Sequence, residues 1–463
     1  MRILLVRPRA PKYTIGLKNI MVCEPLELEY LAGAIDKKHE VEILDLILED
    51  ILEKKIKQFK PDILGTSSYI TGVNEVKAIC KRTKNINSKI ITVVGGVHAS
   101  LNPDDYENKS IDHIIRGEGL KQFNALIDAL EQNKTFTPSI YSNTKDFLAI
   151  DIENLPLPRR ELVAKYQKKY YYLFHQPVTI IKTTFGCPFK CNFCYCRALT
   201  DDKVYSRSPE NVLKELQEIK NKDVYIIDDT FFVSKKHVMD IHALIVKNNI
   251  KKEYLVYGHS DFIINNPDVI KVWAEIGLKA CIIGLESPKD TELKSFNKVS
   301  TVDKNREAIK ILQQNKIDIY ASFIVDPAWT LQDYKTLDRF IRENKLFYIV
   351  IQPLTPIPGT SVFNEDDDYI IPRKYYELWD MQHSVLKPLL GEKRFYKEIR
   401  KIYIKTIFNP FRTSSLKLNT VPSVFSLKYF RLIAGVMKIY FDLRKASKHK
   451  NLIDKTNAFN QNL

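Results

Sequence analysis

Through the first 130 residues, short apolar runs alternate with longer stretches in which apolar positions recur every three or four residues. Such runs read as strands buried on both faces and the stretches between them as amphipathic helices, which predicts a parallel, doubly wound α/β sheet. Strands are expected at Arg2–Val6, Val41–Leu46, Asp62–Thr66, Ile90–Val94 and His113–Arg116, and helices at Pro25–Lys37, Glu49–Phe59, Val73–Lys84 and Gly119–Gln132. From 177 to about 353 the pattern resumes with six strands separated by helix-length segments: Val178–Thr183, Asp223–Ile227, Tyr254–Tyr257, Lys279–Ile283, Ile317–Phe323 and Tyr348–Gln352. Between the two blocks, Leu155-Pro156-Leu157-Pro158 favours extended backbone, so 135–172 is expected to be a linker. The predicted division is 1–134, 135–172, 173–365 and a mostly helical 366–463.

Ligands of parallel sheets and βα barrels sit just beyond the carboxyl ends of the strands. In the front block those ends read Gly65-Thr66-Ser67-Ser68, Gly95-Gly96-Val97-His98 and Arg116-Gly117-Glu118-Gly119, all small or polar. In the second block they read Asp228-Asp229-Thr230-Phe231, His259-Ser260-Asp261, Gly284-Leu285-Glu286-Ser287, Asp326-Pro327 and Pro353-Leu354-Thr355-Pro356. After the first strand of that block comes Gly186-Cys187-Pro188-Phe189-Lys190-Cys191-Asn192-Phe193-Cys194.

Four of the seven cysteines lie between 187 and 196. Disulfides over two or three residues would strain, and structural zinc draws on two separated pairs, whereas one loop with this spacing can wrap an iron–sulfur cluster. The triad, with Phe193 before its third cysteine, resembles the radical S-adenosylmethionine enzymes. That resemblance implies a [4Fe–4S] cluster held by Cys187, Cys191 and Cys194, with the fourth iron open to S-adenosylmethionine and reductive cleavage to a 5′-deoxyadenosyl radical. It implies a partial (β/α)6 barrel, contacts to S-adenosylmethionine from Asp228, Asp229 and Glu286, and an electron donor such as flavodoxin or ferredoxin. Alone, each acid would equally well cap the following helix. Cys196 could close the cluster as a fourth ligand, which would leave an electron carrier; the neighbourhood as a whole resembles the radical family, with Cys196 outside the ligand set.

The Gly-Gly-x-His and Arg-Gly-Glu-Gly turns, the proline-rich connector, Tyr205-x-Arg207-Ser208-Pro209-Glu210 and Thr355-Pro356-Ile357-Pro358-Gly359 are similar to those of the subfamily whose Rossmann-like front domain binds cobalamin. The implied corrinoid contacts are Ser67, Gly95, Gly96, His98 and Gly117. The D-x-H-x-x-G signature of a histidine on cobalt is absent, because no glycine follows Asp36 and His39 at that spacing. His98 is equally a turn residue bonded to its own loop. C-methylation of an unactivated carbon is the activity the subfamily implies first, with oxidative cyclisation, rearrangement or a non-catalytic corrinoid and redox sensor as alternatives.

Charge changes one part of this picture. Of the net +15, +12 lies in residues 391–463, which hold 16 Lys and Arg against 4 Asp and Glu. Within it, Leu427–Lys445 has polar positions at helical spacing and a wide aromatic-bearing apolar face. That combination suits a peripheral membrane contact and a small-molecule or lipid-like substrate better than nucleic acid, with packing on the barrel as the plain alternative. No apolar run approaches the roughly 20 residues of a membrane span, the start reads as a strand and not a signal peptide, and clustered thiols suit the cytoplasm.

Overall fold

A computed structural model describes residues 1–15, 20–137, 152–153, 155–200, 203–407, 427–448 and 452–454. In the front half, five parallel strands lie in the order Glu40–Asp45, Arg2–Arg7, Ile63–Ser67, Ile91–Gly95, His113–Ile114. In this doubly wound order the connections change direction beside Arg2–Arg7, and a crevice opens there at the strand carboxyl ends. All five predicted strands are present, the last two residues shorter than expected. The helices are Leu26–Ala34, Leu52–Phe59, Val73–Ile86, the short Val97–Leu101 and Gly119–Glu131. Their apolar spacing decides which face is covered: Leu52, Ile56 and Phe59 pack on one side of the sheet with Leu4, Val6 and Leu64, and Phe123, Leu126 and Ile127 on the other with Ile3, Leu5 and Ile63.

Six parallel strands follow in sequence order, Val178–Ile181, Asp223–Ile226, Glu253–Gly258, Leu278–Glu286, Asp318–Val325 and Tyr348–Pro353, and the first does not pair with the sixth. This is a partial barrel open on one side. Side chains alternate across each strand: Ile180, Tyr225, Leu255, Ile282, Tyr320 and Tyr348 fill the interior, while Ile181, Val224, Val256, Cys281 and Phe323 meet the outer helices. Ser208 caps Pro209–Glu218 by accepting from Asn211 N, with proline first in the helix as its fixed φ allows.

Of the described linker residues, 155–159 are in neither helix nor strand, and Arg160–Lys169 then winds as a 3-10 run that buries Val163 and Tyr166. Tyr171–Tyr172 pairs antiparallel with Met21–Val22 and ties the linker to the front domain. Residues 138–151 and 154 of the predicted linker lie outside the described residues, as do 408–426 and 455–463 of the basic tail.

Beyond the barrel, Tyr375, Leu378 and Trp379 are core, packed with Ile70 and Val385. They sit on an irregular segment with one 3-10 turn at Tyr376–Leu378. Asp380 accepts from the backbone N–H of Gln382 (2.9 Å) and His383 (2.8 Å), a local bonding pattern that competes with a helix. Helices Glu392–Ile407 and Leu427–Ala446 complete the chain. The second lays Ile439, Leu443 and Ala446 into the barrel's outer core, so its inner face packs on the protein. No helix among the described residues is long and apolar enough to cross a membrane.

Candidate active site

The cysteine loop is anchored at its root by two adjacent acids that do different work. Asp228 is fully buried and accepts from Thr183 N (2.6 Å), Thr184 N (3.0 Å) and the Thr183 hydroxyl, pinning the backbone that leads out of the first barrel strand. Three of the roughly four acceptor positions of its carboxylate are thereby taken by the root of the loop. Burial raises its pKa, and the Thr183 and Thr184 hydrogen bonds oppose that. Asp229 is half-buried: Oδ2 accepts from Gly186 N (2.8 Å) and Lys182 Nζ (3.4 Å), and Oδ1 accepts from the Cys196 thiol (3.3 Å). Gly186 has φ +89°, and a Cβ there would stand 2.0 Å from the Lys203 carbonyl oxygen, so only glycine admits this turn.

Cys187, Cys191 and Cys194 are mutual electrostatic neighbours, with Asp229, Glu286 and Lys298 around them. Burial pushes the Cys187 thiol up to about 12 and raises Cys191. Thiolates in so dry a loop need positive charge, and among the described residues no three His, Cys, Asp or Glu side chains stand close enough together to hold a metal ion. The loop is strapped to the segment after the fourth strand: Asn192 N donates to Phe296 O (3.1 Å), Asn192 Nδ2 to Ser295 O (2.7 Å) and Asn297 Nδ2 to Lys190 O (2.7 Å). Phe193 meets Phe296 edge-on at 5.6 Å.

That segment delivers Lys298, which no spacing in the sequence singled out. Its Nζ donates to Glu286 Oε1 at 3.2 Å, and Glu286 sits at φ +58° on a bulge that aims it back over the barrel mouth. Burial works against the Lys298 charge, but Glu286 and the Cys191 and Cys187 sulfurs outweigh it and its pKa is raised. His259, at the end of the third strand, stacks on Phe189 of the cysteine loop with centroids 3.7 Å apart. Its Nδ1 accepts from Asp261 N (3.2 Å), so the neutral ring carries its proton on Nε2. Burial, then Lys298 and Lys304, drive its pKa down to about 2. Nε2 is buried without a partner, as are Thr184 Oγ1, Thr230 Oγ1 and Asn192 Oδ1. Such atoms at one end of a barrel fit a polar ligand such as S-adenosylmethionine.

Across from this loop lie the front-sheet ends. Ser67 and Gly95 are paired strand termini, and Gly96 follows at φ +96° with Ser67 Cβ only 3.0 Å from where its own Cβ would be. Gly117, at φ +68°, donates its N–H to Ser100 Oγ (3.2 Å). Thr66 Oγ1 is buried without a partner. Bare backbone and one unmet hydroxyl thus line this end of the sheet. His98 Nε2 lies 2.8 Å from Asp105 Oδ2, and the side chain is buried beside Tyr106 and Tyr376. Asp105 also accepts from Arg373 (2.7 Å) and Tyr376 (2.9 Å); burial opposes its ionisation, but these three bonds bring it down to about 2.

Tyr69, just past the Ser67 strand end, joins the two faces. It is 61% accessible, yet burial pushes its phenol up to about 12, with Glu27 of the front domain and Asp229, Cys196 and Tyr257 of the barrel among its charge neighbours. Tyr195 shares the neighbours Tyr69, Cys196 and Asp229. An aromatic after Ser67-Ser68 carried no period or motif, so Tyr69 was not legible in advance.

Comparison with known proteins agrees with this geometry. The B12 binding domain model matches residues 16–127 and the Radical SAM superfamily model residues 181–341. The chain is 28% identical over 413 residues to the hopanoid C-3 methylase of Methylococcus capsulatus, covering 87% of this chain and 79% of that one. It is 22% identical over 477 residues to the anaerobic magnesium-protoporphyrin IX monomethyl ester cyclase of Rubrivivax gelatinosus, covering 96% and 84%. Among solved structures, the radical S-adenosylmethionine methyltransferase TsrM from Kitasatospora setae superposes with a TM-score of 0.69 at 15% identity, over 96% of this chain and 99% of that one. The cobalamin-dependent enzyme OxsB gives a TM-score of 0.60 at 18% identity over 88% of this chain, which spans 58% of the OxsB chain. With a B12 binding domain followed by a Radical SAM domain, the chain belongs to the cobalamin-binding radical S-adenosylmethionine enzymes.

Proposed function

We propose that this protein is a C-methyltransferase acting on an unactivated carbon of a small molecule. One observation carries it: the short helix Val97–Leu101, directly after the Gly95-Gly96 strand end of the front sheet, packs on the helix Cys196–Thr200 directly after the cysteine triad, so the two cofactor-binding halves meet at these ends. Bound together, a [4Fe–4S] cluster, S-adenosylmethionine and cobalamin supply one-electron cleavage of a sulfonium and a methyl carrier. Cys187, Cys191 and Cys194 hold the cluster. Asp229, Glu286 with Lys298, and the Nε2–H of His259 are polar groups for S-adenosylmethionine, and Phe189 and Phe193 shield the loop from water. Ser67, Gly95, Gly96 and Gly117 seat the corrinoid through backbone, with no protein imidazole on cobalt. The working units are 1–134, the connector 135–172, the barrel 173–365 and the region 366–463, and a flavodoxin or ferredoxin supplies the electron.

The test is anaerobically reconstituted protein given dithionite, S-adenosylmethionine labelled in its methyl group, and extract from cells lacking the gene. The expected result is 5′-deoxyadenosine together with label in one new product. Deoxyadenosine without label would favour oxidative cyclisation, the activity named for the Rubrivivax relative. Neither product would leave a corrinoid and redox sensor.

The enzyme also touches an acidic membrane surface through the outer face of Leu427–Ala446. Phe430 and Phe441 are 60% and 48% exposed there, with Lys438, Arg444, Lys445 and Lys448 exposed on the same side. Each basic residue close to anionic lipid contributes about 1 kcal/mol, and the two rings add apolar insertion. Wild-type protein is expected to sediment with phosphatidylglycerol vesicles at low salt, and the Phe430→Ser, Phe441→Ser, Lys438→Glu, Lys445→Glu variant to stay in solution. Equal, negligible sedimentation of both would end the membrane reading.

A further inference from the structure

Where the front domain meets the barrel, three carboxyls and two guanidiniums are buried together. Glu24 and Glu29 belong to the front domain, before and within the helix Leu26–Ala34; Arg160 belongs to the linker, and Arg207 and Glu215 to the barrel. Arg160 is mostly buried and the other four are fully so. Hydrogen-bond donors are shared unevenly among the acids. Glu215 receives Arg160 at 2.7 Å, Arg207 at 2.6 Å and the Tyr30 hydroxyl at 2.8 Å. Glu24 Oε1 receives the Ile180 N–H at 2.8 Å. Glu29 is 0% exposed, yet among the described residues neither of its oxygens meets a donor, and Arg160 Nη1 stands 3.7 Å from Oε2, outside hydrogen-bond reach.

An anion buried without a donor, and beside like charges, is strongly disfavoured against its neutral acid. The groups around Glu29 decide that balance. Glu24 and Glu27 on its own segment and Glu215 on the barrel repel a charge there. Arg160 attracts it, but Nη2 of that guanidinium already serves Glu215 and the Ile180 carbonyl, at 2.7 Å each. Arg207 is bonded to Glu215, Tyr30 and Asn211, Arg7 is paired with Asp45 at 3.2 Å, and the Tyr170 hydroxyl donates to Asp45, also at 3.2 Å. Burial and Glu24 hold the Glu29 pKa well above the ordinary carboxyl range, against the pull of Arg160. With a proton on Glu29, two carboxylates face two guanidiniums and the buried charges balance.

We infer that Glu29 is protonated in the folded protein at neutral pH, and that the junction between the B12 binding domain and the barrel is a proton-linked lock whose hold weakens as pH rises and this carboxyl ionises. An unfolded glutamate is ionised at neutral pH, so closing the junction takes up a proton. The stability it lends is therefore whole below the ordinary carboxyl range and declines as pH rises from there through the raised Glu29 value. Infrared difference spectra of the holoenzyme at about pH 7.5, wild type minus Glu29→Gln, are expected to show one protonated-carboxyl C=O band that shifts in D2O. Urea midpoints followed from about pH 6 to 9 are expected to fall in the wild type relative to Glu29→Gln, the gap widening by up to the equivalent of about tenfold in folding constant per pH unit. A wild type without a protonated-carboxyl band overturns the inference with no variant needed. A band that survives unchanged in Glu29→Gln assigns the proton to another carboxyl and overturns it too, as do midpoints that run parallel across the pH range. A Glu29→Gln protein that fails to fold counts equally against it, because the amide is as neutral as the acid it replaces.

Discussion

Alanine at Cys187, Cys191 or Cys194 is expected to reduce S-adenosylmethionine cleavage to background and to strip iron and acid-labile sulfide, while Cys196→Ala keeps the cluster and most of the cleavage. The three thiols share one strapped loop: Asn192 and Asn297 tie it to the 295–298 segment, and Asp228 and Asp229 fix its root. A loop so constrained cannot slide to present a substitute ligand. Cys196 sits past the loop, at the start of the helix Cys196–Thr200, with its thiol donating to Asp229 Oδ1. Iron content, sulfide content and deoxyadenosine yield are the measurements, taken on the anaerobically reconstituted variants. Cluster loss in Cys196→Ala with the fold intact would point to four thiolates, and the electron-carrier reading would then replace the enzyme. Because Cys196 lies close to both Cys194 and Asp229, this outcome is a sharp test of the ligand set and not a formality.

What the sequence made legible is what local patterning dictates. Five front strands and six barrel strands stand within a few residues of their apolar runs, and the cysteine spacing named its chemistry without help from the fold. What it could not resolve depends on direction and on distance along the chain. Asp228 and Asp229 are equivalent as letters, but successive residues at a strand end point to opposite sides, so one pins backbone and the other faces the cysteine loop. His98 reads in sequence as a cofactor or a loop residue, and what its ring meets is Asp105, which Arg373 and Tyr376 of one distant segment bond in turn. Lys298 and Tyr69 acquire meaning only from partners that tertiary folding brings to them. The run Arg160–Lys169 was hidden for another reason: a proline restricts only the residue before it, so the prolines at 156 and 158 say nothing about the backbone from Arg160 on.

Long-range pairing is also what holds the two halves in register, and it sets the second large effect. Arg207 is fully buried and donates to Glu215 Oε2 (2.6 Å), Tyr30 Oη (3.0 Å), Lys182 O (2.8 Å) and Asn211 Oδ1 (2.7 Å). Tyr30 belongs to the first helix of the front domain, Arg207 and Glu215 to the barrel, and Arg160 of the linker completes the group by donating to Glu215 Oε1 and Ile180 O at 2.7 Å each. Glu24 and Glu29, also buried, lie 3.8 and 3.7 Å from Arg160. Burial pushes Glu24 up to about 7 and Glu29 well above the ordinary range, so these carboxyls already strain against their setting with both guanidiniums present. Removing one cation leaves Glu215 short of a buried partner, a change that costs about 3–5 kcal/mol. Arg207→Met is therefore expected to lower the denaturation midpoint by that equivalent and to weaken corrinoid retention, since the front domain loses its tie through Tyr30. Arg207→Lys recovers little, because an ammonium cannot reach four acceptors in fixed directions as the guanidinium does. Arg207→Met with Glu215→Leu recovers much of the stability by removing charge and counter-charge together, and leaves Arg160 with Glu24 and Glu29. A single Arg207→Met variant within about 1 kcal/mol of wild type would mean that the pair is not the lock between the halves, and that the interface is held by the apolar contacts of Leu26 and Tyr30 against the barrel interior instead.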